Sequence, residues 1–253
     1  MTPSRELAAA LEAAEAAARV IRACYQRKLA VELKADKSPV TAADRRAEDA
    51  IRAVLSARCP GYAFFGEETG RHGDSNSVWL VDPIDGTKAF VREYPMFSTQ
   101  IALQRDGELL LGVSSAPLYG ELAFAERGAG AWLNGRQVHV SKVSRLEDAA
   151  LSAGNLRTLA RGRKWAAYGR VVARVNRIRG YGDFLHYHLL AAGKIDAVIE
   201  SDVGILDIAA LVTIVAEAGG RCTALDGRPV GLETTSVLAT NSRLHPALRR
   251  ALR

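Results

Sequence analysis

The chain has 253 residues, 48% of them hydrophobic and 25% charged, a composition that excludes a disordered or collagen-like polypeptide. Lys and Arg number 34 against 28 Asp and Glu, and the formal charge of +6 leaves nucleic acid, an anionic membrane surface or a phosphorylated substrate as partners. No run of about 18 apolar residues occurs, so a membrane-spanning helix is excluded.

At the N-terminus Leu7, Leu11, Ala14, Ala18, Ile21 and Tyr25 recur at three- and four-residue steps and predict an amphipathic helix, with Thr2-Pro3 suited to its start. A second helix is expected over 43–58, with Ala47, Ile51, Val54 and Leu55 on one face and Pro60-Gly61 as its stop. Short apolar runs at 62–65 and 78–81 read as strands. The polar loop 70–76 between them is expected to be mobile. Strands at 97–104 and 109–115 flank the turn residues Asp106-Gly107, and strands at 131–133 and 138–140 flank Asn134-Gly135, both hairpin signals; another strand is expected at 122–125. From there strand and helix alternate: strand 150–153, helix 157–174, helix 184–192, strand 195–199, helix 208–218, strands 221–223 and 236–239, and a basic closing helix from His245. An α/β half thus follows an α+β half.

The most informative segment is Val78-Trp79-Leu80-Val81-Asp82-Pro83-Ile84-Asp85-Gly86-Thr87. An apolar strand runs directly into two aspartates held by a fixed proline φ and followed by a glycine that permits a sharp backbone turn. A helix starting at Gly86 or Thr87 would aim free N–H groups at an anion, such as phosphate. Two neighbouring aspartates repel when ionised, so burying them calls for protons or cations, and oxygen-only donors select hard ions: Mg²⁺, with Mn²⁺ as the second choice. Glu67 and Glu68 lie just upstream, and Asp44 and Asp207 each stand near a helix start. Every one of these carboxylates also has a plain structural reading: Asp44 and Asp207 as N-caps, Asp82 and Asp85 as turn residues, Glu67 and Glu68 as solvated charge.

Gly66-Glu67-Glu68, Asp82-Pro83-Ile84-Asp85-Gly86-Thr87 and Leu206-Asp207-Ile208-Ala209-Ala210 together resemble the signatures of the inositol monophosphatase superfamily, and the segment from Lys34 to Asp44 resembles its N-terminal element. The likeness runs in order from about residue 5 to 245. It implies a layered αβαβα sandwich of mixed α+β and α/β character. Its first half, 1–143, would carry most metal ligands, and its second, 144–253, Asp207 and the specificity residues. The family's enzymes are Mg²⁺-dependent, lithium-sensitive phosphatases. By resemblance, Glu67, Asp82 and the Ile84 carbonyl would hold one ion, and Asp82, Asp85 and Asp207 a second. A third, weaker ion would sit near Glu67. Asp44, Thr87 and Glu67 would be catalytic, Asp44 and Thr87 by orienting or deprotonating the attacking water. Gly86 and Thr87 N–H groups would bind the phosphate. Two departures from the family pattern stand out: Leu206 where Trp is common, and Ala89 where Asn is common.

Specificity is expected in the second half. Gly182-Asp183-Phe184 and the run Asp85 to Arg92 look like the histidinol-phosphate phosphatase branch. Asp183 and Glu200 are the residues expected to meet a cationic substrate, with Arg179 nearby in the same segment; Asp183 also reads as an N-cap. Inositol 1-phosphate is the alternative substrate, and nothing in the sequence selects fructose bisphosphate or a phosphoadenosine nucleotide. His186 and His188 lie two apart on a helix, do not share a face, and are read as packing or surface residues. His72, His139 and His245 have nothing to recruit them.

Other classes find little support. No zinc finger or RNA-recognition motif accompanies the basic charge, so a nucleic-acid binder is not expected. A non-catalytic relative would not need the full ligand set. The three cysteines, Cys24, Cys59 and Cys222, form no CxxC pair, and the acid-bearing N-terminus lacks a cleavable signal's layout, so a cytoplasmic protein is expected. The family leads to a homodimer and a small phosphorylated metabolite, with no membrane partner.

Overall fold

The structure is a computed structural model in which residues 2–27, 31–33 and 39–253 are described. In chain order the elements are α1 (Arg5–Cys24), β1 (Val31–Leu33), β2 (Pro39–Thr41), α2 (Ala42–Arg58), β3 (Ala63–Gly66), β4 (Gly70–His72), β5 (Ser77–Asp85) and α3 (Thr87–Val91). Next come β6 (Ser98–Arg105), β7 (Glu108–Ala116), β8 (Glu121–Glu126), β9 (Gly130–Leu133), β10 (Arg136–Val138) and β11 (Ala150–Ala153). The remainder are α4 (Arg157–Arg161), α5 (Trp165–Val172), β12 (Arg177–Arg179), α6 (Asp183–Ala191), β13 (Ala197–Ser201), α7 (Ile205–Glu217), β14 (Arg221–Thr223), β15 (Ser236–Thr240) and α8 (His245–Ala251).

Two larger sheets organise the chain. One has eight strands in the order β10-β9-β8-β7-β6-β5-β3-β4; the other has five, β12-β11-β13-β15-β14. Helices α1 and α2 lie on one face of the eight-stranded sheet, where Leu7, Ile21, Ile51 and Leu55 meet Trp79, Val81, Ile101 and Val113 in one buried cluster. Its other face takes α7. Together α6 and α7 fill the space between the two sheets, with Phe184, Leu190, Leu211 and Ile214 in the shared core. Helices α4, α5 and α8 cover the outer face of the five-stranded sheet through Leu159, Val171, Leu244 and Leu248. The result is the αβαβα layering that the family resemblance implies.

Most elements fall where the pattern puts them, and the differences have local causes. The first helix is capped by Ser4, whose hydroxyl accepts the Leu7 N–H at 3.0 Å, so Thr2-Pro3 precede the helix rather than start it. The helix expected over 157–174 is two short ones, because Gly162 ends α4 with an extended ψ of 166°. The loop 70–76 is not all loop: Gly70–His72 pairs antiparallel with β3 as an edge strand. Its polar composition suits an edge, which masks it from a search for alternation. Strands β1, β2 and β12 are too short to show a pattern. The turns Asp106-Gly107 and Asn134-Gly135 both have positive φ at each residue, the requirement that makes these dipeptides hairpin signals. All three cysteines are free thiols. No helix among the described residues is long and apolar enough to cross a membrane.

Candidate active site

The end of β5 builds the site. Its pairing with β6 is regular down to Asp82 opposite Gln100, then shifts register and resumes at Asp85 opposite Ser98. The bulge accommodates Pro83, which has no N–H for the ladder, and the Thr99 hydroxyl donates to the Pro83 carbonyl at 2.8 Å. The Ile84 N–H donates to Asp82 Oδ1 at 3.0 Å and so fixes that carboxylate against its own strand end. Gly86 then turns with φ +93°, and a Cβ there would stand 2.7 Å from the Met96 carbonyl oxygen; only glycine passes. The helix expected at this point is α3, starting at Thr87.

Asp207 arrives from the first turn of α7, where it accepts the Gly204 N–H at 2.7 Å. One carboxylate oxygen from each of Asp82, Asp85 and Asp207 lies within 4.8 Å of the others. Burial pushes the Asp82 carboxyl well up, and Glu67 and Asp85 add to it. Asp85 is likewise raised by burial and by Asp183 and Asp207. Asp207 is pushed up to about 6, mainly by burial, against the opposing Gly204 hydrogen bond. A cavity of about 540 Å³ opens over these groups, lined also by Glu67, Ile84, Gly86, Thr87, Asp183 and Asp202. Among the described residues on its wall, Lys88 is the one that is basic. Buried, oxygen-only and mutually repelling, the donor set fits a hard divalent cation, which would supply the positive charge the cluster lacks.

Beneath the cavity floor lies Asp44, fully buried. It caps α2 and also meets Thr87 of the cavity wall. Its Oδ2 accepts the Thr41 N–H at 2.8 Å and the Thr41 hydroxyl at 2.7 Å, while Oδ1 faces the Thr87 hydroxyl at 3.2 Å. Burial is the chief reason its carboxyl is raised. The Thr87 hydroxyl also lies 3.0 Å from the Ile84 carbonyl, so it has two acceptors for one proton. One turn further along α2, Glu48 is equally buried and was not singled out by sequence reasoning. Its carboxylate accepts the Glu68 N–H, the Thr69 N–H and the Thr69 hydroxyl at 2.8, 2.9 and 2.5 Å. It packs so closely on Gly66 that a Cβ there would come within 2.5 Å of it. The turn that carries Glu67 is thus clamped from below. The four-residue step from Asp44 to Glu48 on one helix face was the available signal. Residues 34–38 of the family's N-terminal element lie outside the described residues.

The candidate substrate residues separate. Asp183 lines the cavity; it is the first residue of α6, with φ +45°, while Gly182 takes the capping position. Its carboxyl is raised by burial and by Glu200. Glu200 is buried on β13 outside the cavity wall, with its oxygens engaged by the Tyr187 hydroxyl (3.0 Å) and the Asn155 N–H (3.3 Å), while His186 Nε2 lies 3.2 Å away without a hydrogen bond. Arg179 is exposed on β12, lies on a different cavity with Trp165 and Tyr168, and donates to the Ile178 carbonyl. Tyr94, Asn155 and Asp202 line the acidic cavity and carried no sequence signal; they come from loops far apart in the chain. Of the family departures, Ala89 is on the cavity wall, whereas Leu206 packs into a small apolar cluster with Ala63 and Ala210. His186 and His188 face opposite ways as their spacing demands, and both are buried rather than at the surface. His245, expected to be isolated, is buried between the hydroxyls of Thr223 and Thr240 at 3.2 and 3.1 Å. His72 and His139 are exposed.

Residues 3–253 match the inositol monophosphatase family. A histidinol-phosphatase of Mycobacterium tuberculosis is 42% identical over 223 residues, covering 86% of this chain and 85% of that one. An inositol-1-monophosphatase of Mesorhizobium japonicum is 38% identical over 231 residues, covering 89% and 86%. Among solved structures, the extragenic suppressor protein suhB of Bartonella henselae superposes with a TM-score of 0.91 at 35% identity over 99% of each chain. The match over nearly the whole length, with a buried acidic cluster of the kind a metal-dependent hydrolase requires, makes this chain a phosphatase of the inositol monophosphatase family.

Proposed function

We propose that the chain hydrolyses histidinol phosphate to histidinol and phosphate, with Mg²⁺ held by Glu67, Asp82, the Ile84 carbonyl, Asp85 and Asp207. The carrying observation is Asp183, an acid on the cavity wall beside the metal-binding carboxylates, with the charge of Glu200 close behind it. Histidinol phosphate bears an amine and an imidazole, for which a carboxylate is a stronger partner than a hydroxyl. Histidinol-phosphatases among the relatives support the same substrate.

When bound, the divalent ions would lower the pKa of a coordinated water and stabilise the leaving oxygen. The chain's own residues do the rest. Asp44 Oδ2 is filled by Thr41, so Oδ1 alone is free to take the Thr87 proton. Once Thr87 donates to Asp44, its oxygen is open to accept a proton from the attacking water. Burial makes Asp44 a better base by raising its carboxyl. Gly86 and Thr87 N–H groups, at the start of α3, would hold the phosphate oxygens. Asp183 would pair with the substrate's cationic end. Glu200, with its oxygens already engaged, would act through its charge. Arg179 stands outside this cavity and is not assigned a part.

Inositol 1-phosphate is the second reading, supported by the inositol-1-monophosphatases among the relatives. A phosphate-release assay on both esters separates them. Asn tolerates the left-handed backbone of residue 183, so Asp183→Asn removes the charge without the strain another residue would bring. The variant is expected to lose roughly 10–100-fold in kcat/KM on histidinol phosphate and to keep its rate on inositol 1-phosphate. Equal losses on both, or faster wild-type hydrolysis of the inositol ester, would overturn the assignment.

A further inference from the structure

A line of polar side chains runs under α6 from the acidic cavity to the opposite surface of the eight-stranded sheet. Ser98 and Gln100 are alternate residues of β6 and so share a face; across β7, Ser114 is the partner of Gln100. All three side chains are buried, as is His188 of α6 above them. Gln100 Nε2 lies 2.7 Å from Ser98 Oγ and 3.1 Å from Ser114 Oγ. His188 Nε2 lies 2.9 Å from Ser114 Oγ, and its Nδ1 lies 2.7 Å from Glu121 Oε2. At the inner end Ser98 Oγ reaches Asp85 Oδ2 at 3.5 Å, the longest link. At the outer end Glu121 lines a surface cavity between α1 and β8.

The donors and acceptors fit in one direction. The Glu121 carboxyl is held below its usual range chiefly by its bond to His188, while burial drives the His188 imidazole down, so an ionised acid faces a neutral ring. Nδ1–H then donates to Glu121, which leaves Nε2 to accept the Ser114 hydroxyl. Ser114 Oγ accepts one amide N–H of Gln100, and Ser98 Oγ accepts the other. The Ser98 hydroxyl is thereby left free to donate to Asp85. With the Gln100 amide reversed, both serine hydroxyls would turn to its oxygen, and neither His188 Nε2 nor Asp85 would receive a proton. In the orientation present, Gln100 Oε1 is a buried acceptor with no partner. That is a cost, since an unpaired buried polar atom destabilises by roughly 1–3 kcal/mol. An apolar row under α6 would avoid it; the row does, however, point a donor at a carboxylate of the cavity.

We propose that Glu121, His188, Ser114, Gln100 and Ser98 form a positioning chain that orients Asp85 for metal binding, with Glu121 setting the direction of every hydrogen bond along it. The proposal rests on the reading of Asp85 as a metal ligand. A hydrogen-bonded partner of a ligating carboxylate commonly contributes 10–100-fold to metal affinity.

The test is Mn²⁺ titration of the full-length protein, following free Mn²⁺ by electron paramagnetic resonance. Ser98→Ala removes the last donor. Glu121→Leu removes the acceptor that keeps the His188 proton on Nδ1, at a half-buried position that tolerates the change. Each variant is expected to raise the Mn²⁺ Kd about tenfold, with the metal-free thermal midpoint within about 4 °C of wild type. Affinity within about twofold of wild type in both variants overturns the chain. An effect of Ser98→Ala alone overturns the transmission from Glu121. Asp85→Asn in the same titration is expected to weaken Mn²⁺ more than either. Wild-type affinity in Asp85→Asn would instead remove Asp85 as a ligand and take both readings down together.

Discussion

Two regions of this molecule bury ionisable groups and resolve them differently. Around the cavity, Asp82 is buried and Asp85 and Asp207 are half-buried beside it, and the charges of neighbouring acids push all three carboxyls further up. At the five-stranded sheet, His245 is buried too, yet both its ring nitrogens meet threonine hydroxyls. The histidine is settled by its surroundings as a neutral group. Among the described residues no ion pair compensates the charge of the aspartates. Burial satisfied from within is structure; burial with like charges left facing each other calls for a ligand from outside.

The strongest way to break that contrast is Asp82→Asn. The amide keeps an oxygen to accept the Ile84 N–H, so the strand end survives. Hydrolysis is expected to fall about 10³-fold or more, while the thermal midpoint of the metal-free protein rises because one repelling charge is gone. Activity near wild type would deny the cluster its role.

Opposite pH slopes are the next test. In the metal-free protein burial pushes the Asp207 carboxyl up to about 6 from an ordinary value of 3.8. The folded state binds that proton more tightly, so stability is full below about 3.8 and falls as pH rises through 6, by roughly 3 kcal/mol. His245 is driven down to about 4 by burial, with Arg221 and Arg249 assisting. Its neutral form is favoured in the fold, so stability is full above about 6.5 and is lost as pH falls toward 4, again by roughly 3 kcal/mol. Denaturant melts across pH should show both limbs. Saturating Mg²⁺ should abolish the first alone, and His245→Leu the second alone.

The same contrast explains what could be read from residues in a row. Asp82 to Thr87 is a local constellation, and its strand, bulge proline, glycine turn and short helix follow from one stretch of chain. The hairpins at Asp106-Gly107 and Asn134-Gly135 were legible for the same reason. Tyr94, Asn155 and Asp202 were not, because only the packing of loops from both halves brings them to the cavity. Arg179 is the converse case, four residues before Asp183 yet on an exposed strand facing elsewhere. The break at Gly162 was hidden by helix-compatible neighbours on both sides. The buried histidines were hidden because a satisfied histidine has no sequence signature; the partners of His188 lie 67 and 74 residues away.

Glu48 tests the contrast from between its two terms. It is a buried carboxylate, but three donors satisfy it, so it belongs with the settled groups even though it sits under the turn that carries Glu67. Glu48→Ala is expected to cost about 1–3 kcal/mol in urea melts and to lower kcat/KM roughly 10–100-fold by releasing Glu67. A stability loss without an activity loss would make it a fold residue only.

The smallest effect is expected at Arg179. Its guanidinium is exposed, its hydrogen bond goes to the neighbouring Ile178 carbonyl, and the cavity beside it is walled by Trp165 and Tyr168 rather than by the acids. An exposed side chain free of such constraints contributes within about 0.5 kcal/mol, so Arg179→Ala should leave kcat/KM on histidinol phosphate within about twofold. A tenfold loss would mean that the substrate reaches past Asp183 to β12, and that the specificity surface extends beyond the acidic cavity into its aromatic neighbour.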